Sequence, residues 1–145
     1  MTDPQGLERF VSAQNQADTF TTAVCELRAG RKRSHWMWFV FPQIAGLGRS
    51  PMSQRYAISS IDEARAYLAH DVLGPRLIEC ARILCDLEGR TAHDIFGGID
   101  AIKLRSSMTL FAYADSANPI FGQVLGAYFG GVPDEATERL LGIGR

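Results

Sequence analysis

The stretch HWMWFVF, His35 to Phe41, is the segment of this chain that reads as a β-strand, because it is aromatic and partly β-branched. A strand satisfies its backbone only by pairing with another, and no partner run stands elsewhere in the sequence. The segment therefore argues for a mainly α domain with one extended aromatic piece threading its core. In an extended backbone Trp36 and Trp38 share a face with Ser34, while His35, Met37 and Phe39 take the other. One face then serves the core and the other lines a cleft.

Helix punctuation surrounds that stretch. Asp3 and Pro4 cap and open a first short helix whose apolar stripe is Leu7, Phe10 and Val11. A second runs from about Ala17 to Arg28, with Phe20, Val24 and Leu27 on one face and Gly30 placed to end it. GLGRSPMSQRYAIS, Gly46 to Ser59, is rich in turn formers and aperiodic, so it reads as an ordered loop. Ser60 with Glu63 makes a capping box for a helix that stops near His70 and Asp71. Gly74 and Pro75 open the next, with Leu77, Ile78, Ala81, Leu84, Cys85 and Leu87 at helical spacing and Gly89 closing it. Thr91 with Asp94 caps a short turn, after which Asp100 opens DAIKLRSSMTLFAYA, with Ile102, Met108, Phe111 and Ala112 as core positions. Asn118 and Pro119 start a helix ended by Gly130 and Gly131, and a last one spans about Asp134 to Leu141. The expected architecture is a single domain over residues 1–145 with about seven helices.

Composition excludes several classes. A chain of 145 residues with 46% hydrophobic content suits one packed domain. Its 15 Lys and Arg against 16 Asp and Glu leave no global field toward nucleic acid, so any basic patch is local. No apolar run reaches the length of a signal peptide or a membrane span, and the chain reads as cytoplasmic and monomeric. Cys25, Cys80 and Cys85 form an odd set without metal-ligand spacing, which points to small core residues and to neither a metal nor a cofactor. GLGRS at 46–50 lacks the third glycine and the βαβ setting of a dinucleotide loop.

What chemistry remains centres on GRKRSHWMWFVFPQ. Arg31, Lys32 and Arg33 follow a helix C-terminus, where cations offset the negative dipole end, yet they also adjoin two indoles. Charge beside a π face suits a phosphate-bearing ligand whose base stacks on Trp36 or Trp38. The plainer alternative makes both tryptophans core anchors, and His35 a buried, hydrogen-bonded residue. Arg76 stands at the start of the Gly74–Pro75 helix, where free first-turn N–H groups favour an anion; alternatively it pairs with Glu79 or Asp71. Lys103, Ser106 and Ser107 form a polar strip on an apolar helix, either bonding back to their own carbonyls or facing a polar cavity.

The blocks LERFVSAQ, GRKRSHWMWFVFPQIAGLGRSP, ARAYLAHDVLGPRL and KLRSSMTLF resemble the bacterial family labelled domain of unknown function 1810, over about Leu7 to Phe129. That resemblance implies a small, mainly helical domain and carries no catalytic residues. A calpastatin-like label attached to some members conflicts with the composition, since calpastatin is disordered and this chain has the apolar content of a packed domain. The aromatic early segment and the late lysine helix before an N-P-x-F type turn are also similar, more loosely, to the α-helical superfamily acting on ADP-ribose and related N-glycosides, with no catalytic glutamate to match.

The expected function is binding of a small anionic, nucleotide-like ligand, ADP-ribose related, with hydrolysis as an extension. Arg31, Lys32, Arg76 and Lys103 would meet phosphate, Trp36 or Trp38 would stack, and His35, Gln43 and Ser106 would orient the ligand. The rival expectation is a non-catalytic protein-interaction domain with a basic surface patch.

Overall fold

A computed structural model describes residues 6–143, so the cap expected at Asp3 and Pro4 lies outside the described residues. Among them, nine α-helical segments and one 3-10 turn follow in order: α1 Glu8–Asn15, the turn Gln16–Asp18, α2 Thr19–Arg28, α3 Met37–Val40, α4 Pro51–Arg55, α5 Ile61–Ala69, α6 Leu73–Asp86, α7 Ala92–Ala114, α8 Ile120–Phe129 and α9 Glu135–Leu140. Two of these, α3 and α4, are single turns of four and five residues, and the longer seven match the sequence expectation.

The aromatic stretch is not extended. Met37–Val40 coils into one helical turn, entered from Trp36 at φ −129° and left at Phe41 at φ −126°. The physical reason is that no partner strand exists, so the segment satisfies its backbone locally: Phe39 N and Val40 N donate to Trp36 O, and Phe41 N to Met37 O. Residues two apart on a helix diverge, so Trp36 and Trp38 do not share a face as alternation predicts. The described residues contain no strand, only an isolated bridge between Ile44 and Ile58. Ala45 N donates to Ile58 O and Ile58 N to Gln43 O, both at 2.8 Å, which pins the Gln43 backbone.

Caps are set largely where the sequence places them. Ser60 accepts from Glu63 N at the start of α5, although the Glu63 carboxylate bonds Ser59 N rather than closing the box on Ser60. Thr91 and Asp94 form a complete reciprocal box on α7. Ser50, ahead of Pro51, caps α4 inside the stretch read as loop, a Ser-Pro start signal hidden by its turn formers. Gly74 lies inside α6, where a Cβ would sit 2.0 Å from the Leu68 carbonyl oxygen, so only glycine lets α5 and α6 approach this closely.

The element labelled α7 changes direction at Gly97, whose φ of 78° and ψ of 175° are a backbone region reserved almost wholly for glycine. Its second arm, residues 98–114, is the hub of the molecule. α7 packs against α5, α8 and α9, while α6 packs against α2, α5 and α8. The core is aromatic-rich: Phe10, Tyr67, Phe111 and Phe121 form one run of ring contacts, and Trp36, Phe41 and Phe96 a second. Cys80 is fully buried there, which pushes its thiol up to about 12 and leaves it inert. Ile102, expected in the core, is 65% exposed. The turn at Gly97 rotates the first part of the second arm outward, so Ile99 and Ile102 face solvent while Leu104, Met108 and Phe111 face inward.

Candidate functional site

Four of the expected site residues, Trp38, Gln43, Lys103 and Ser106, converge beside α7. Gln43 and Lys103 line both a small cavity of about 10 Å³, shared with Met37, Trp38, Phe41, Ser53 and Tyr56, and a neighbouring open cleft. That cleft, about 280 Å³ in volume, adds Leu47, Gly48, Ile99, Ile102, Ser106, Asp134 and Ala136. The small cavity has room for about one water-sized group. Each side chain arrives from a different element. Gln43 is set by the Ile44–Ile58 bridge, Lys103 and Ser106 lie one turn apart on α7, and Asp134 caps α9.

The charges at the site are unequal partners. The Asp100 carboxylate contacts Lys32 Nζ at 2.8 Å and Lys103 Nζ at 3.6 Å. Lys32 is only 8% exposed, donates to Ser34 O and stands 5.1 Å from the Trp36 ring centroid. It is committed to the fold. Lys103 stands 5.2 Å from the Trp38 ring centroid and is 20% exposed. Two ammonium groups share the Asp100 carboxylate, and the looser partner, Lys103, is the one on the cleft, which the Asp134 carboxylate also lines. Among the described residues, two buried donors lack a partner: the Trp38 indole N–H and the Ser107 hydroxyl. A buried polar atom without a bond costs about 1–3 kcal/mol, which makes the Trp38 group beside this cavity conspicuous.

The other expected residues are elsewhere. Trp36 is a core residue at 1% exposure, its Nε1 donating to Glu26 at 2.9 Å. That glutamate also accepts from Arg33 N, Ser34 N and Ser34 Oγ, tying the basic loop to α2. Partial burial raises the Glu26 carboxyl, but these bonds outweigh it and hold the group down at about 2. Arg31 is exposed, its N–H donating to Glu26 O in the helix stop around Gly30. His35 is exposed and lines a separate open pocket with Ala17, Thr19, Thr22, Ser34 and Trp36. Arg76 binds Gln14 Oε1 at 3.1 Å and lies over the Phe20 ring, pairing with neither Glu79 nor Asp71.

The first turn of α6 is not free for an anion either. His70 Nδ1 accepts from Val72 N and Leu73 N, and His70 O accepts from Gly74 N. Residues that sequence reasoning missed are Asp100, Ile99 and Ile102, Leu47 and Asp134. The Gly97-Gly98 pair ahead of Asp100 was the available signal, because a double glycine marks a break in a helical pattern. Among the described residues, no group of acidic, His and Cys side chains is arranged to hold a metal ion, and no helix is long and apolar enough to cross a membrane.

Comparison with solved structures finds a close relative. The crystal structure of the conserved hypothetical protein Rv1873 from Mycobacterium tuberculosis superposes with a TM-score of 0.93 at 55% identity, covering 98% of this chain and 100% of that one. No curated protein matches. The sequence model of the family described as "Protein of unknown function (DUF1810)" matches residues 4–141, and the chain belongs to that family.

Proposed function

We propose that this chain binds a small anionic, nucleotide-like ligand in the cleft between the Gln43–Gly48 loop and the outer face of α7. Lys103 takes the anionic group, Gln43 hydrogen-bonds it, and the flat body rests on Ile99, Ile102 and Leu47. The observation that carries the reading is Lys103. Its ammonium is only loosely held by Asp100 and sits over Trp38, beside a cavity where the indole N–H has no acceptor. An anion at Lys103 in the cleft gains a charge-assisted bond, and one water in the adjoining small cavity would link it to an indole donor that otherwise lacks an acceptor.

Lys103 is one cationic side chain and Asp134 shares its cleft, so a ligand with a single phosphate is expected to bind more tightly than ADP-ribose or NAD, whose second phosphate would meet no cation there. Binding is the proposal and turnover is not. Asp134, the carboxylate on the cleft, already accepts from Thr137 N and Thr137 Oγ1 through Oδ2. A thermal-shift screen with AMP, ADP-ribose and NAD, followed by calorimetry, tests the reading. AMP should stabilise the protein, Lys103→Ala should weaken binding by about tenfold, and Arg76→Ala should leave affinity unchanged. No stabilisation by any of them at millimolar concentration rejects it.

A second reading, a protein-interaction surface, is favoured by a separate basic patch. Arg31 and Arg33 are exposed, and the exposed Arg90 packs its side chain against Gly30. An acidic protein partner would bind there with strong salt dependence, and Arg31→Glu with Arg33→Glu would abolish capture without disturbing AMP.

A further inference from the structure

Lys103 shares its carboxylate with a second lysine that stands outside the cleft. Asp100 Oδ2 lies 2.8 Å from Lys32 Nζ, whereas the other oxygen, Oδ1, lies 3.6 Å from Lys103 Nζ. The two ammonium groups thus hold separate oxygens, and one can leave without breaking the contact of the other. Lys32 is the fixed partner. Its side chain is 8% exposed, its Nζ also donates to Ser34 O at 2.6 Å, and its backbone N–H donates to Ile95 O at 2.7 Å. Lys103 is the movable one, with the longer contact, a more exposed side chain and a place in the lining of the cleft. Asp100 also lies in the first turn of the second arm of α7, where the positive end of the helix dipole favours a carboxylate. An Asp100 that gives up Lys103 therefore stays compensated by Lys32 and by that helix end.

Resting on the anion-binding reading above, we infer that Asp100 is a positioning residue for the site: it holds the Lys103 ammonium while the cleft is empty and releases it to the ligand's phosphate, with Lys32 keeping the carboxylate paired throughout. Phosphate and carboxylate compete for one ammonium group, so the strength of the Asp100 contact sets how tightly the phosphate is held. With Lys32 in place, Asp100 needs Lys103 little. Without Lys32, releasing Lys103 would leave a partly buried carboxylate with no ion-pair partner among the described residues, and the exchange would be opposed.

Calorimetry with AMP tests the exchange. Asp100→Asn frees Lys103 and should tighten binding about fivefold, as the loss of one competing, partly exposed ion pair allows. A carboxylate with a merely structural role gives no gain. Lys32→Met should weaken AMP about fivefold in the unsubstituted protein, yet by less than about twofold when Asp100→Asn is also present, because Lys32 acts through Asp100. A second pair of variants leaves the buried Lys32 untouched: with Lys103→Ala in place, Asp100→Asn should bring no gain. Unchanged or weaker binding by Asp100→Asn overturns the exchange while the anion site stands. So does equal weakening by Lys32→Met with and without the Asp100 carboxylate, or a gain that persists without Lys103, since either result reflects only the general field of the charges. Failure of AMP to bind both the unsubstituted protein and Asp100→Asn overturns the exchange and the anion site together.

Discussion

Glu26 shows how single residues decide which part of a motif is structural. Its carboxylate gathers the backbone of Arg33 and Ser34, the Ser34 hydroxyl and the Trp36 indole, so half of the basic-aromatic stretch is spent on holding itself in place. Because the folded group titrates at about 2 against an ordinary 4.5, the unfolded chain binds more protons between those values. The stability contributed by Glu26 is therefore complete above pH 4.5 and is lost as pH falls through about 2. Glu26→Gln should cost about 2 kcal/mol in chemical denaturation at pH 7 and flatten the acid limb of the stability profile in that window. An unchanged acid limb would show that the network is not formed. Residue types were legible in the sequence here, but partners were not. Nothing local tells that Trp36 meets a glutamate ten residues earlier while Trp38 keeps a bare N–H.

At the scale of elements, caps and stops were the legible signals, because they are set by neighbours within a few residues. Ser60, Thr91, Gly30 and the Gly130-Gly131 pair all mark ends that the structure keeps. The single turn at Met37–Val40 and the turn of α7 at Gly97 were not legible, since each answers to packing against distant segments. Gly97→Ala tests the second. No atom would obstruct the new Cβ, so the cost is purely the backbone conformation, about 2 kcal/mol, read as a lower denaturation midpoint. Gly74→Ala meets the Leu68 carbonyl instead and should cost more than about 3 kcal/mol, because backbone rather than a side chain must give way. If Gly74→Ala proves the milder of the two, the close approach of α5 and α6 is wrong.

Across the whole molecule, α7 both completes the core and presents the cleft. Its inward residues, Leu104, Met108 and Phe111, are fully buried, while Ile99 at 75% exposure and Lys103 lie on the opposite side. The sequence pointed to Lys103, Gln43, Trp38 and Ser106 as a possible set, and the fold brings these together. It assigned Arg31, His35 and Arg76 to the same place, and the fold sends them elsewhere, because charge and aromaticity in a sequence carry no direction. The central claim is that an anion occupies the cleft beside Lys103, one water-sized cavity away from Trp38. With two tryptophans in the chain, a proton–nitrogen NMR spectrum carries two indole signals, assigned by Trp36→Phe. On titration with AMP the Trp38 signal should move saturably while the Trp36 signal, locked to Glu26, stays in place. Two stationary signals at millimolar AMP, or movement of Trp36 alone, would contradict the account.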